Sequence, residues 1–139
     1  MSPDYPLQPG APLPTVPHRC DLVQAVRLAG ATENYHRIHF DAAHARATGL
    51  PAAVVDSALL MAWFEALVED TYGSTARLLQ LQARFRRPVL LDEEVYCGGT
   101  VEQAVGIGAH LRLTLRLSLR DAQGGTRAEA MAAIELPAR

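Results

Sequence analysis

The chain has 139 residues, is 49% hydrophobic and 20% charged, and carries a formal net charge of −2. Those values suit one globular domain with one core, and they exclude the basic footprint of a nucleic-acid or membrane-surface binder. All 13 basic residues are arginine, which rules out Schiff-base catalysis by lysine. Cys20 and Cys97 stand apart without metal-ligand spacing, so free buried thiols in a reducing compartment are expected. No basic-then-apolar leader is visible at the N-terminus, and a cytoplasmic location follows as the expectation. Leu50–Val68 has about the length of a membrane span, but Asp56 and Glu65 interrupt it. A buried, alanine-rich core helix is the better reading.

Residues 1–19 hold six prolines, at 3, 6, 9, 12, 14 and 17, and predict an extended arm leading into a domain over 20–139. Asp21 caps a short helix, Leu22–Ala29, with Leu22, Val26 and Ala29 on one face and Gly30 ending it. Asp41 caps a second, Ala42–Thr48, closed by Gly49. The main helix runs from Asp56 or Ser57 to Asp70. Its stripes Leu59/Trp63/Leu67 and Leu60/Phe64/Val68, with Ala58, Ala62 and Ala66 beside them, predict enclosure over most of the circumference.

The period then changes from 3.6 to 2. Leu79, Leu81, Ala83 and Phe85 alternate with polar residues up to Pro88, which predicts a half-buried strand. Leu91–Glu94 reads as a turn. Val95–Gln103 is a second strand, with a bulge expected at Gly98-Gly99. His110–Arg120 alternates leucine with polar residues throughout and is the clearest strand. Asp121–Gly125 is a hairpin turn, and Thr126–Leu136 returns as a strand whose alanines admit a bulky neighbour. The sum is an α+β class protein, a single hot-dog fold in which an antiparallel sheet of about four strands wraps one long central helix. A lone unit of this kind leaves a sheet edge and a helix flank uncovered, so a dimer is expected.

Chemistry concentrates in Glu33-Asn34-Tyr35-His36-Arg37-Ile38-His39-Phe40-Asp41, directly before the apolar helix. Imidazole is the side chain best suited to moving protons near neutral pH. His36 and His39, three residues apart, can aim into one pocket or serve a structural role. No third ligand at a recognisable spacing accompanies them, so no metal site is expected.

The run Ala31-Thr32-Glu33-Asn34-Tyr35-His36-Arg37-Ile38-His39-Phe40-Asp41, with Ala45, Thr48-Gly49-Leu50-Pro51 and Val54-Val55, resembles the MaoC-like family. Its closest likeness is to the branch related to type 2 hydroxyacyl-thioester dehydratases. Arg84-Phe85-Arg86-Arg87-Pro88 is similar to that family's strand-ending signature, and the resemblance covers roughly residues 20 to 100. It implies a hydratase or dehydratase adding or removing water across the double bond of an enoyl thioester, without a cofactor. The substrate implied is an acyl-CoA or acyl-carrier-protein ester, held by a homodimer or a heterodimer. Carried over by position, His39 matches the catalytic histidine. Asn34 stands where the family commonly has an aspartate, and is left an orienting role. His36 is then the candidate for the second acid/base function.

Asp56-Ser57 occupies the helix start, where the family usually has histidine or glutamine followed by glycine, and where a backbone N–H polarises the thioester carbonyl. Asp56 and Ser57 are therefore substrate-binding candidates, and Asp56 also a helix cap. Arg84, Arg86 and Arg87 are candidates for the phosphates of coenzyme A or a carrier arm. Three other readings stay open: a hot-dog thioesterase using Asp56, a lyase or isomerase on a biosynthetic intermediate, and a non-catalytic acyl-binding subunit of a heteromeric dehydratase.

Overall fold

The computed structural model describes residues 5–137; residues 1–4 of the expected arm and the last two of the chain lie outside the described residues. Five strands form one antiparallel sheet in the order β1-β3-β4-β5-β2: β1 (Val16–His18), β2 (Arg77–Phe85), β3 (Val95–Ile107), β4 (His110–Asp121) and β5 (Thr126–Pro137). Helices α1 (Leu22–Thr32), α2 (Ala42–Ala47) and α3 (Ser57–Tyr72) come between β1 and β2. This is the α+β hot-dog fold. The alternation of β4 fixes which face is buried: Leu113, Leu115, Leu117 and Leu119 are fully buried, and the arginines between Leu111 and Asp121 point outward. A one-residue slip would reverse every one of them. Leu60, Trp63, Phe64, Leu67 and Val68 of α3 join those leucines and Ala128, Ala130 and Ala132 of β5 in a single core.

The sheet has one strand more than its hydrophobic pattern shows. β1 lies inside the proline-rich arm and pairs Val16 with Cys97 and His18 with Val95. Its brevity and its place at the sheet edge let Pro17 sit in a strand without breaking a ladder. Upstream, the Gly10 N–H donates to the Val101 carbonyl (2.8 Å) and the Leu13 N–H to that of Gly99 (2.9 Å). The Tyr72 hydroxyl donates to the Pro6 carbonyl (3.0 Å), tying the arm to the end of α3.

Other expectations are corrected. The helix α1 continues past Gly30 to Thr32 and ends on Glu33, whose left-handed φ of 54° closes it with an N–H donated to the Ala29 carbonyl. Gly30 stays helical because glycine is favoured but not required to stop there. The buried face of α1 is Ala25 and Ala29, while Leu22 and Val26 are exposed. α3 is buried on one side only, with Ala58 and Ala62 open, because a single sheet covers a single face. Among the described residues no helix is long and apolar enough to cross a membrane.

The irregularity of β3 falls between Val101 and Gln103, and Gly98-Gly99 pair in regular register with Ser118 and Leu117. The glycines serve close approach instead of a bulge. A Cβ on Gly99 would strike the Arg116 carbonyl oxygen and lie 2.8 Å from the Leu117 side chain.

The Asp121–Gly125 turn is held by one carboxylate. Asp121 Oδ1 accepts the N–H groups of Gly125 (2.7 Å) and Gln123 (3.0 Å), and Oδ2 accepts from Arg127 Nε (3.1 Å). The Gly125 N–H first, then Arg127 and Gln123, hold its carboxyl below the usual range against the opposing effect of burial. Arg127 also donates to Glu93 and to the Pro88 carbonyl (2.6 Å), locking the end of β2 to this hairpin.

Two predictions follow from these contacts. Gly99→Ala forces two backbones apart and is expected to destabilise the fold by about 1–3 kcal/mol; an unchanged urea midpoint would contradict this packing. A depressed carboxyl stabilises the fold fully above its unfolded value of about 4 and loses that contribution as pH falls through the lower folded value. Melting temperatures between about pH 5 and 2 should therefore fall more steeply for the wild type than for Asp121→Asn, and parallel curves would remove Asp121 as the cause.

Candidate active site

The polar stretch becomes a compact loop because each of its ends is capped. The Asn34 N–H donates to the Ala29 carbonyl (3.1 Å). Arg37–His39 forms one 3-10 turn, with His36 as its N-cap. Asp41 Oδ1 accepts the His44 N–H (3.0 Å) to start α2, and its Oδ2 takes a fork from Arg37 Nε (3.2 Å) and Nη2 (2.7 Å). The His44 N–H and Arg37 keep the Asp41 carboxyl low. Asp41 and Arg37 thus shape the loop.

His39 is turned inward, its side chain 14% exposed. Nδ1 lies 2.9 Å from the Val54 carbonyl oxygen. A carbonyl only accepts, so Nδ1 carries the hydrogen, and Nε2 of the neutral ring keeps a lone pair. The Val54 N–H returns a bond to the Ile38 carbonyl (2.9 Å), which fixes the loop to the segment before α3.

Asp56 N-caps α3, with Oδ1 accepting the Ala58 N–H (2.9 Å). Its Oδ2 accepts from Asn34 Nδ2 (2.8 Å) and stands 3.8 Å from His39 Nε2, with the Asp56 side chain 12% exposed. Asn34, His39 and Asp56, three groups spread over 23 positions of sequence, converge on one spot.

Two cavities meet at His39. One is small, ≈ 10 Å³, the room a single water needs. Asn34, His39 and Asp56 line its polar side, and Cys20, Ala25, Leu28 and Ala29 its apolar side. The other is an open cleft of ≈ 320 Å³ bounded by His39, Val54, Val55, Ser57 and Leu60, and by Phe85–Val89 at the end of β2. Ser57, the first residue of α3, has a backbone N–H without a partner among the described residues. Ser57 lines the cleft, and its N–H belongs to the positive end of the helix dipole. Asp56 and Ser57, neighbours in sequence, line different cavities, so the carboxylate is turned toward Asn34 and His39 and off the cleft side.

The structure brings Asn34, His39, Asp56, Ser57, Arg86 and Arg87 to these two cavities and leaves two candidates out. His36 is exposed and lines neither cavity. Its Nδ1 takes the Ile38 N–H (3.4 Å), and its ring centre is 5.8 Å from that of His39. Arg84 sits on the outer face of the sheet beside Arg116 and Arg120. Arg86 is paired with Glu129 (3.0 Å), whereas Arg87 is 59% exposed and reaches Asp121 only at 3.9 Å. Among the described residues no cluster of three His, Cys, Asp or Glu side chains could hold a metal.

Sequence reasoning missed Cys20 as part of the small cavity and Arg127 as the brace behind Pro88. The cysteine's burial was legible, but not its neighbours. Nothing in the spacing signals Arg127, which lies 39 residues from Pro88.

Residues 6–114 match the family model described as a MaoC like domain. No curated protein matches the chain in sequence. Among solved structures, the (R)-hydratase of A. caviae involved in PHA biosynthesis superposes with a TM-score of 0.83 at 23% identity, covering 94% of this chain and 98% of that one. The ChsH1-ChsH2 complex of Mycobacterium tuberculosis gives 0.83 at 23% identity, with 93% and 98% covered. The C-terminally truncated HadBC complex, a (3R)-hydroxyacyl-ACP dehydratase of Mycobacterium tuberculosis, gives 0.73 at 14%, with 91% and 96% covered. At these identities the likeness to solved structures is one of fold.

Proposed function

This chain belongs to the MaoC-like domain family, and on that premise we propose that it adds water to, or removes it from, the double bond of an enoyl thioester. The observation that carries the reading is the 2.9 Å contact of His39 Nδ1 with the Val54 carbonyl oxygen. With Nδ1 committed to the Val54 carbonyl, the lone pair of Nε2 is available as a base at the meeting point of the two cavities. The thioester lies in the ≈ 320 Å³ cleft, its carbonyl oxygen receiving the Ser57 N–H at the start of α3. That donor supports the negative charge that builds on the oxygen when water adds to the β-carbon or, in the reverse direction, when the α-carbon loses its proton.

Arg86 and Arg87 stand on the same cleft and offer cationic groups for the phosphates of coenzyme A or a carrier arm. Arg87, poorly paired and exposed, is the freer of the two. His36 takes no part in proton transfer in this reading, because it lines neither cavity.

Two copies of the chain meet through β2 in this proposal. β2 is an end strand of the sheet, with Leu78, Leu79 and Phe85 at 38%, 37% and 45% exposure. Phe85 also borders the cleft, so an interface there would close one side of it.

The test uses the full chain and a four-carbon enoyl-CoA, following enoyl absorbance and free thiol in parallel. Hydration should proceed without thiol release, and His39→Ala should lower its rate at least about 100-fold. Thiol release in place of hydration would mark a thioesterase, and an unchanged rate in His39→Ala would remove the base. Arg86→Ala/Arg87→Ala should raise KM for the CoA ester several-fold while leaving the corresponding pantetheine thioester, which lacks the nucleotide phosphates, nearly unaffected. Equal changes for both substrates would exclude a phosphate contact.

A further inference from the structure

Hydration of an enoyl thioester needs more than a base. A water O–H bond breaks and its oxygen bonds to the β-carbon. The π electrons then pass to the α-carbon, which must receive a proton. If His39 Nε2 takes the water's proton and hands it to the α-carbon, atoms and charge balance, but an imidazolium exists in between. With a side chain as buried as that of His39, a cation without an opposing charge is costly.

From the geometry we infer that Asp56 supplies that opposing charge, and that Asp56 and His39 together hold the reacting water in the ≈ 10 Å³ cavity between them. The inference rests on the hydratase reading and deepens it. Three observations carry it. First, Asp56 Oδ2 lies 3.8 Å from His39 Nε2. That is near enough to oppose the imidazolium, and two acceptors so placed can share one water as hydrogen-bond donor. Second, both side chains are at least 86% buried, so solvent screens their interaction weakly. Third, the carboxylate is held on both oxygens, Oδ1 by the Ala58 N–H and Oδ2 by Asn34 Nδ2. It cannot swing away, and each oxygen keeps a further lone pair.

Asn34 is then a positioning residue: its amide aims Oδ2 at the histidine. The charge sits on the helix side of this hydrogen bond and the amide on the loop side. Exchanging the two residues would move the carboxylate across a 2.8 Å contact with little change in volume. Asp56 touches the reacting water in this scheme and stays ionised throughout. His39 is the only group that changes protonation state.

The experiment measures kcat and KM for four-carbon enoyl-CoA hydration in wild type, Asp56→Asn, Asn34→Asp/Asp56→Asn and His39→Ala. Asparagine caps helices as well as aspartate does, so Asp56→Asn should melt within a few degrees of wild type, and its loss should be one of charge. The expected result is a fall in kcat of about 100-fold with KM changed less than about threefold. The exchanged double variant should recover at least about tenfold of that loss. A structural role for Asp56 would not be rescued by returning the charge on the other side of the contact.

Asp56→Asn within about threefold of wild type, alongside a dead His39→Ala, overturns the role of Asp56 and leaves the hydratase reading standing. An exchanged variant no better than Asp56→Asn overturns the charge argument in the same way. A wild-type chain that turns over no enoyl thioester overturns the hydratase reading, and this inference with it.

Discussion

The bond from His39 Nδ1 to the Val54 carbonyl is the constraint on which the site depends. A ring only 14% exposed must satisfy that nitrogen inside the protein, and the carbonyl decides where the hydrogen sits. Val54 is in turn held in place: its N–H donates to the Ile38 carbonyl, and its neighbours in the strap over 53–55 bond to the segment 89–91 that follows β2. Val55 donates to the Val89 carbonyl (2.8 Å), and Leu91 donates to that of Ala53 (3.0 Å). Two segments with little regular structure thereby gain the precision of a sheet. Arg127 completes the brace from behind by gripping the Pro88 carbonyl. The orientation of one imidazole is therefore maintained from the polar loop, through a short strap, to the far hairpin.

The start of α3 separates two demands that would conflict if they fell in one place. A thioester carbonyl gaining negative charge is best met by an N–H at a helix N-terminus and worst met by a carboxylate. A histidine gaining positive charge wants the carboxylate. Successive residues at the helix entry point in different directions, and Asp56 faces the small cavity while Ser57 faces the cleft. The capping role of Asp56 is what makes this possible: the bond from Ala58 N–H to Oδ1 fixes the side chain against the helix end and leaves Oδ2 for Asn34.

The fold was largely legible, because its main signals are periodic and local. The faultless alternation of β4 and the leucine and aromatic stripes of α3 each state a buried face, and capping by Asp21, Asp41 and Asp56 states three helix starts. What was not legible depends on contacts distant in sequence. β1 carries no alternation, being three residues in a proline-rich arm, and exists because β3 offers it a partner. Gly98-Gly99 looks like a bulge until β4 is placed against it. The apolar residues Leu22 and Val26 suggest one face for α1, yet the alanines at 25 and 29 are what the core admits. In the site, His39 was singled out by the resemblance of the Asn34–Asp41 run to the MaoC-like family. The union of Asn34 with Asp56 was not, since nothing local marks two polar residues 22 positions apart as neighbours. His36 shows the opposite case: sequence proximity to His39 suggested a shared pocket, and although the two ring centres are 5.8 Å apart, His39 alone of the pair lines the two cavities.

The two ends of the sheet are chemically unlike. At one end β1 is three residues long and includes Pro17, which has no N–H to offer an incoming strand. At the other, β2 runs nine residues without a proline or a glycine. Strand addition from outside is open at β2 and poor at β1. On the β1 side, β1 and the arm cover β3 from Val95 to Val101. The proline-rich arm thereby lines that edge with a segment poor in N–H groups for an incoming strand, whereas β2 keeps Leu78, Leu79 and Phe85 exposed at an edge open to pairing.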